Sequence, residues 1–155
     1  FIHDAIEAGS GFFQHGHTYL GHPMACAAAG AVLTRIVDDG IGAKVAQKGC
    51  ALREKLDASL GQHPHVGDIR GRGLFIGLEL VADRQTKSPF APERKIASGI
   101  KKNAMQKGLI CYPAQGTIDG WRGDHVLLAP PFIIAEEEMD FLVEKLGHAI
   151  NEAID

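Results

Sequence analysis

Phe13-Gln14-His15-Gly16-His17-Thr18-Tyr19-Leu20-Gly21-His22-Pro23 is a polar, glycine-punctuated run that leads straight into an alanine-rich segment, Met24 to Val37. Pro23 suits the first position of a helix, where its fixed φ and missing N–H cost nothing. The run therefore delivers a threonine hydroxyl, flanking glycines and free backbone N–H groups near a helix start. Orphan N–H donors and the positive end of the helix dipole favour an anion there, phosphate above all. The pattern is neither a P-loop nor a dinucleotide fingerprint. Spacing alone leaves Thr18 two roles, a ligand contact or a hydroxyl that bonds its own backbone at the helix entry.

Downstream, residues 23–38 read as a mostly buried helix carrying Val32, Leu33, Ile36 and Val37, stopped by Asp39-Gly40. Ile41, Val45, Leu52, Leu56 and Leu60 fall on one stripe of a second helix, 41–60. Lys44, Lys48, Arg53 and Lys55 take its other side, and Gly61-Gln62-His63-Pro64 breaks it. Leu74, Ile76, Leu78 and Leu80 alternate with Phe75, Gly77, Glu79 and Val81, which predicts a strand with one apolar face. A short strand near 66–70 precedes it through a glycine turn. Residues 82–92 form a polar loop, and 93–107 a helix with Ile96, Ala97, Ile100 and Ala104 inward, ended by Gly108. Leu109-Ile110-Cys111-Tyr112 reads as a strand, 113–124 as a glycine-rich loop, and Val126-Leu127-Leu128-Ala129 as a strand closed by Pro130-Pro131. Residues 136–154 make an amphipathic helix with Met139, Leu142, Val143, Leu146 and Ile150 on its buried face. This order predicts an α/β fold with helices packed on a small, largely antiparallel sheet.

At 155 residues the chain is one domain with a fair core, or part of something larger. Its 45% apolar and 23% charged residues are ordinary for a globular protein. A net charge of -3 argues against a nucleic-acid or anionic-membrane surface. No apolar run approaches the ~20 residues that span a bilayer. Cys26, Cys50 and Cys111 are odd in number and widely spaced, so they read as buried thiols of a reducing compartment, the cytoplasm by default. The first residue is Phe1, and Asp4-Ala5-Ile6-Glu7-Ala8 resembles the tail of a helix, which suggests a fragment of a longer protein.

His15-Gly16-x-Thr18-Tyr19-x-Gly21-His22-Pro23, followed by Ala25-Cys26-Ala27-Ala28-Ala29, resembles the segment downstream of the catalytic lysine in class III aminotransferases. These are pyridoxal-phosphate enzymes of fold type I, often called ω-transaminases. The likeness covers nearly the whole chain, including a similar Arg-Gly-x-Gly-Leu run at 70–74. It implies that residues 1–40 end the large cofactor-binding domain and that 41–155 form the C-terminal small domain. It implies that Thr18 reaches across a homodimer interface to the cofactor phosphate of the other subunit, with the backbone N–H of His17 or Thr18 as a second donor. It implies transfer of an amino group from an amine or ω-amino acid to a keto acid such as pyruvate. The Schiff-base lysine and the aspartate facing the pyridinium nitrogen lie outside this chain, which alone is expected to be inactive. Within the resemblance, His22-Pro23 favours the ω-amino-acid or amine:pyruvate type over the semialdehyde aminomutases, whose segment typically carries Asn before Pro. A decarboxylase or an aminomutase of the same fold and a non-catalytic α/β interaction module are the alternatives.

In this family an arginine in the loop before the Pro-Pro strand clamps the substrate carboxylate, which makes Arg122 the candidate, since a planar guanidinium matches a carboxylate. The family's arginine lies slightly earlier, at the place of Gly120, so a solvated loop arginine is the competing reading. His15, His17 and His22 invite a metal, but no carboxylate or Cys stands at ligand spacing beside them, and no metal is expected. Gly71-Arg72-Gly73-Leu74-Phe75-Ile76-Gly77 fails as a dinucleotide fingerprint, because it opens a strand instead of a helix. Trp121 and Tyr112 line a substrate pocket or anchor their loops. Glu136-Glu137-Glu138 and Asp38-Asp39 sit at helix ends as solvated charges.

Overall fold

Leu52, Leu56 and Leu60 recur every fourth residue along α3 (Ile41–Leu60), and all three are buried. They meet the inward residues of a sheet built from β1 (Val66–Arg72), β2 (Phe75–Leu80), β3 (Tyr112–Gln115) and β4 (Asp124–Leu128). The strand order is β1-β2-β4-β3, and every pair is antiparallel. Alternation puts Ile76, Leu78, Leu80, Val126 and Leu128 on the inner face, where α4 (Ile96–Gln106) and α5 (Glu136–Ile154) join α3. Leu146 and Ile150 of α5 and Ile100 of α4 are fully enclosed there. The structure, a computed structural model, describes residues 1–155. It divides into two units, Phe1–Gly40 and Ile41–Asp155, and this core belongs to the second.

Both long helices of the second unit have the limits their apolar stripes dictate. Glu138 completes the start of α5 by accepting the N–H of Ala135 at 2.7 Å. The helix expected over 93–107 begins only at Ile96. Pro92–Arg94 form a short 3-10 turn, and Lys95, at φ 52, interrupts the helical path. The strand expected at 109–112 lies three residues later. Gly108 ends α4 with φ 80, and the N–H of Leu109 still bonds back to the carbonyl of Ala104 at 2.9 Å, so the apolar run is spent on helix termination. Pro113 is tolerated inside β3 because β3 pairs only with β4 and forms an edge of the sheet.

Lys48 and Lys55 are not the solvated charges their helix face suggested. Lys48 Nζ donates to the carbonyls of Phe132 (3.1 Å) and Ile134 (2.7 Å), and Lys55 Nζ pairs with Asp140 of α5. Nor are the cysteines buried: Cys26 and Cys50 are exposed and Cys111 is half-buried, its thiol pushed up by desolvation.

In the first unit, α1 (Ile2–Ala8) precedes the loop and α2 (Pro23–Asp38) follows it. The expected burial of α2 is absent: it has no buried residue, and Met24 and Val37 are 78% and 74% exposed. The physical reason is supply, since the unit offers only a seven-residue helix and a loop to cover an apolar stripe.

Asp124 is the buried acidic residue of the fold, 2% exposed, and its Oδ1 accepts the N–H of Ala97 in the first turn of α4 at 3.1 Å. Desolvation raises its pKa above the ordinary 3.8, against the opposing pull of the Ala97 N–H. The folded chain therefore holds this proton more tightly than the unfolded one, so stability falls as pH rises through the window above 3.8. Asp124→Asn keeps the acceptor and removes that slope. At pH 7 it is expected to be neutral or stabilising within about 1 kcal/mol, whereas Asp124→Ala loses the cap and costs about 1 kcal/mol. Urea denaturation at pH 4.5 and pH 7 checks both.

Candidate functional site

The loop between α1 and α2 is held by few bonds. The N–H of Gly9 and Gly11 close α1 onto Ala5 and Ile6, and Ser10 Oγ donates to the carbonyl of Phe12 at 2.9 Å. A turn then brings the N–H of Leu20 to the carbonyl of His17 (2.9 Å) and that of His22 to Tyr19 (3.1 Å), with Gly21 at φ 73. His22 caps α2, its Nδ1 accepting the N–H of Ala25 at 3.4 Å, and Pro23 takes the first helical position. The histidine cap uses one of the donors that the sequence left open at this helix start.

Thr18 opens the turn, exposed to solvent, and its hydroxyl makes no hydrogen bond. The local alternative, a threonine satisfied by its own backbone, is therefore not what the loop adopts. The N–H groups of His15, Gly16, His17 and Thr18 likewise donate to nothing in the chain. No Asp or Glu occurs between Glu7 and Asp38, so no carboxylate of the loop or of the first turns of α2 opposes an anion. The donor set therefore fits a phosphate: one hydroxyl, several uncommitted N–H groups, and no competing negative charge. The rings of Phe13, His15 and His17 pack edge to face, at 5.7 Å and then 5.0 Å between centroids. Nowhere do three His, Cys, Asp or Glu side chains gather into a metal-ligand set.

Arg122 belongs to the second unit, in the loop between β3 and β4. Asp119 holds it: one carboxylate oxygen accepts the N–H of Trp121 (3.0 Å) and of Arg122 (2.7 Å), and the other accepts Arg122 Nε at 2.7 Å. The Arg122 backbone N–H, then its guanidinium, then the Trp121 N–H push the Asp119 carboxyl down to about 2. This depressed group contributes its stabilisation at every pH above the ordinary 3.8 and loses it as pH falls through about 2. A carbon-13 titration is expected to place the Asp119 midpoint near 2, moving up towards 3.8 in Arg122→Ala. A midpoint unchanged by that substitution would remove the side-chain contact from the explanation. The Nη atoms of Arg122 have no partner, so its outer edge stays open for a second carboxylate. Trp121 and Tyr112 are 70% and 67% exposed, and neither anchors its loop by burial.

Sequence reasoning missed Asp119 and Asp124. Asp119-Gly120 carries a turn signal that could have found the first, because Asp side chains bond backbone N–H groups just ahead of them. Nothing local marks Asp124, whose partner lies 27 positions away. No helix is long and apolar enough to cross a membrane.

The sequence model of class-III aminotransferases matches residues 2–150. An uncharacterized aminotransferase of Schizosaccharomyces pombe is 50% identical over 145 residues, which cover 94% of this chain and 31% of that protein. An (S)-enantioselective omega-transaminase from Thermomicrobium roseum superposes with a TM-score of 0.82 at 32% identity, covering 99% of this chain and 32% of that one. A PLP-bound aminotransferase mutant from Vibrio fluvialis gives 0.82 at 32% identity, over 98% and 31% of the two chains. The chain spans about a third of the length of the curated relatives it matches.

Proposed function

We propose that this chain, which belongs to the class-III aminotransferase family, supplies the phosphate-gripping loop and the smaller α/β unit of a pyridoxal-phosphate transaminase. The observation that carries the reading is the Thr18 turn, an unpartnered hydroxyl among free N–H groups in a stretch without acids. Thr18 Oγ1 donates to a phosphate oxygen, and the N–H of His17 or Thr18 adds a second bond. When bound, pyridoxal phosphate supplies the electron sink for moving an amino group between carbons. His22 fixes the start of α2, and so fixes the turn that aims the hydroxyl.

The residues that end the large domain, 1–40, serve the cofactor of a second subunit, so the protein works as a homodimer with an isologous interface. Residues 1–43 contain no lysine, and the lysine that the chemistry needs comes from the rest of the full-length protein. Residues 41–155 are its small domain. The donor is an amine or ω-amino acid and the acceptor a keto acid such as pyruvate, with the outer edge of Arg122 as the carboxylate clamp.

A donor–acceptor screen on the full-length protein tests this. Alanine is expected to form from pyruvate in the presence of an amine, and the 155-residue chain alone is expected to give none. Arg122→Ala is expected to raise KM for the keto acid roughly tenfold while leaving aldehyde acceptors unaffected. A full-length protein that moves no amino group between any amine and any keto acid overturns the reading.

A further inference from the structure

The connection between β3 and β4 is ordered by hydrogen bonds more than by burial. The N–H of Gly116 donates to the carbonyl of Gly123 (2.8 Å), that of Ile118 to Arg122 (3.0 Å) and that of Gly120 to Gly116 (3.0 Å). Gln115 Nε2 donates to the carbonyl of Trp121 at 2.9 Å. Gly116, at φ 99, packs so close that a Cβ there would lie 2.9 Å from the carbonyl oxygen of Gly120. Ile118, Asp119, Trp121 and Arg122 are nevertheless exposed. Little apolar area leaves water here, so polar bonds carry the order of the loop, and Asp119 accepts three of them.

Arg84 spends both Nη atoms on the carbonyls of His63 and Gly61, and Arg70 bridges Asp68 and Glu79. Arg122 is held at Nε alone, by Oδ2 of Asp119 at 2.7 Å, and both its Nη atoms stay free. A guanidinium takes a carboxylate either across its Nη–Nη edge or across the edge that includes Nε. With Nε committed to Asp119, the Nη–Nη edge remains for a bidentate partner. The pin also removes rotamer freedom from a long side chain before any ligand arrives, so less is lost on binding. The Asp119 carboxyl, pushed down to about 2, stays ionised throughout the neutral range, and the pin with it. Its charge opposes an incoming carboxylate, but both side chains are exposed, and water and salt screen that repulsion. Geometry outweighs repulsion.

Taking Arg122 as the carboxylate clamp, the role on which this rests, we propose that Asp119 is its positioning residue and a determinant of acceptor selectivity. It offers the Nη–Nη edge of Arg122, already aimed, to the carboxylate of a keto acid, and it adds nothing for an acceptor that lacks one.

The test compares pyruvate with propanal as acceptor in the full-length protein. Asp119→Asn keeps an oxygen for the N–H groups of Trp121 and Arg122 but sets an amide N–H against Nε where a carboxylate oxygen was. It is expected to raise KM for pyruvate about three- to fivefold, with kcat unchanged and kcat/KM for propanal unchanged. In the Arg122→Ala background the same substitution is expected to add nothing, because the group it positions is gone. A raised KM in Arg122→Ala with none in Asp119→Asn overturns the proposal and leaves the clamp standing. No rise in either variant overturns both. A lowered KM for pyruvate in Asp119→Asn means that repulsion outweighs geometry, and equal losses with both acceptors mean a loop that has lost its shape. Either result removes Asp119 from the role.

Discussion

Thr18→Val in the full-length protein lowers pyridoxal-phosphate affinity by about 1–3 kcal/mol, roughly 5- to 150-fold in Kd. Valine keeps the branch at Cβ and the steric demands of the turn but deletes the donor. In this chain the hydroxyl has no other employment, because no local acceptor engages it. The substitution therefore breaks no internal bond, and any loss is a loss at the ligand. The hydroxyl would meet a dianionic phosphate, and a bond to a charged group exceeds a neutral one, which sets the upper end of the range. Thr18→Ser retains the donor and is expected to stay close to the parent. Absorbance titration of the apoprotein with cofactor measures both, and equal affinities for the valine variant and the parent would remove Thr18 from the phosphate site.

Gly49→Ala is expected to destabilise the second unit by about 1–3 kcal/mol. The sign is the informative part. In the interior of an exposed helix the same change stabilises by about 1 kcal/mol, through a smaller loss of backbone entropy. Gly49 lies in α3 where the helix backbone passes directly over the turn between β1 and β2. A Cβ there would collide with the Cα, carbonyl carbon and carbonyl oxygen of Gly73. Backbone cannot rotate aside as a side chain does, and Gly73 is itself fixed in a left-handed conformation, φ 57, next to Val45. The collision therefore outweighs the entropy gain. Gly42→Ala in the same helix meets nothing within contact distance and is the control, neutral or stabilising. Chemical denaturation of the pair decides, and a Gly49→Ala variant as stable as the control contradicts the packing.

These two residues also mark the limits of what the sequence discloses. The Gly71-Arg72-Gly73 run was readable as a tight strand entry, but its reason, the approach of α3 at Gly49, is a contact between segments far apart in the chain. Helices α3 and α5 were legible to their ends because Leu52, Leu56 and Leu60, and Met139 through Ile150, repeat at helical spacing against one core. The strand read at 109–112 slipped because Leu109 and Ile110 look the same to a pattern whether they pair in a sheet or close a helix. The expectation for α2 failed for a different reason. Its alanine-rich composition records a burial partner, but none of the 40 residues of its unit provides the surface. At the site, His22 as the cap and the free Thr18 hydroxyl became clear only with the turn in view. The link from Thr18 to a phosphate rested on resemblance, since spacing alone permitted the backbone-bonded alternative.

The most direct measurement is the structure of the full-length protein, in the homodimer proposed for it, with pyridoxal phosphate bound. The account predicts Thr18 Oγ1 at a hydrogen-bonding distance, about 2.5–3.0 Å, from a phosphate oxygen of the cofactor held by the other subunit. A Thr18 hydroxyl turned to its own backbone, or one remote from both cofactors of the dimer, would contradict it.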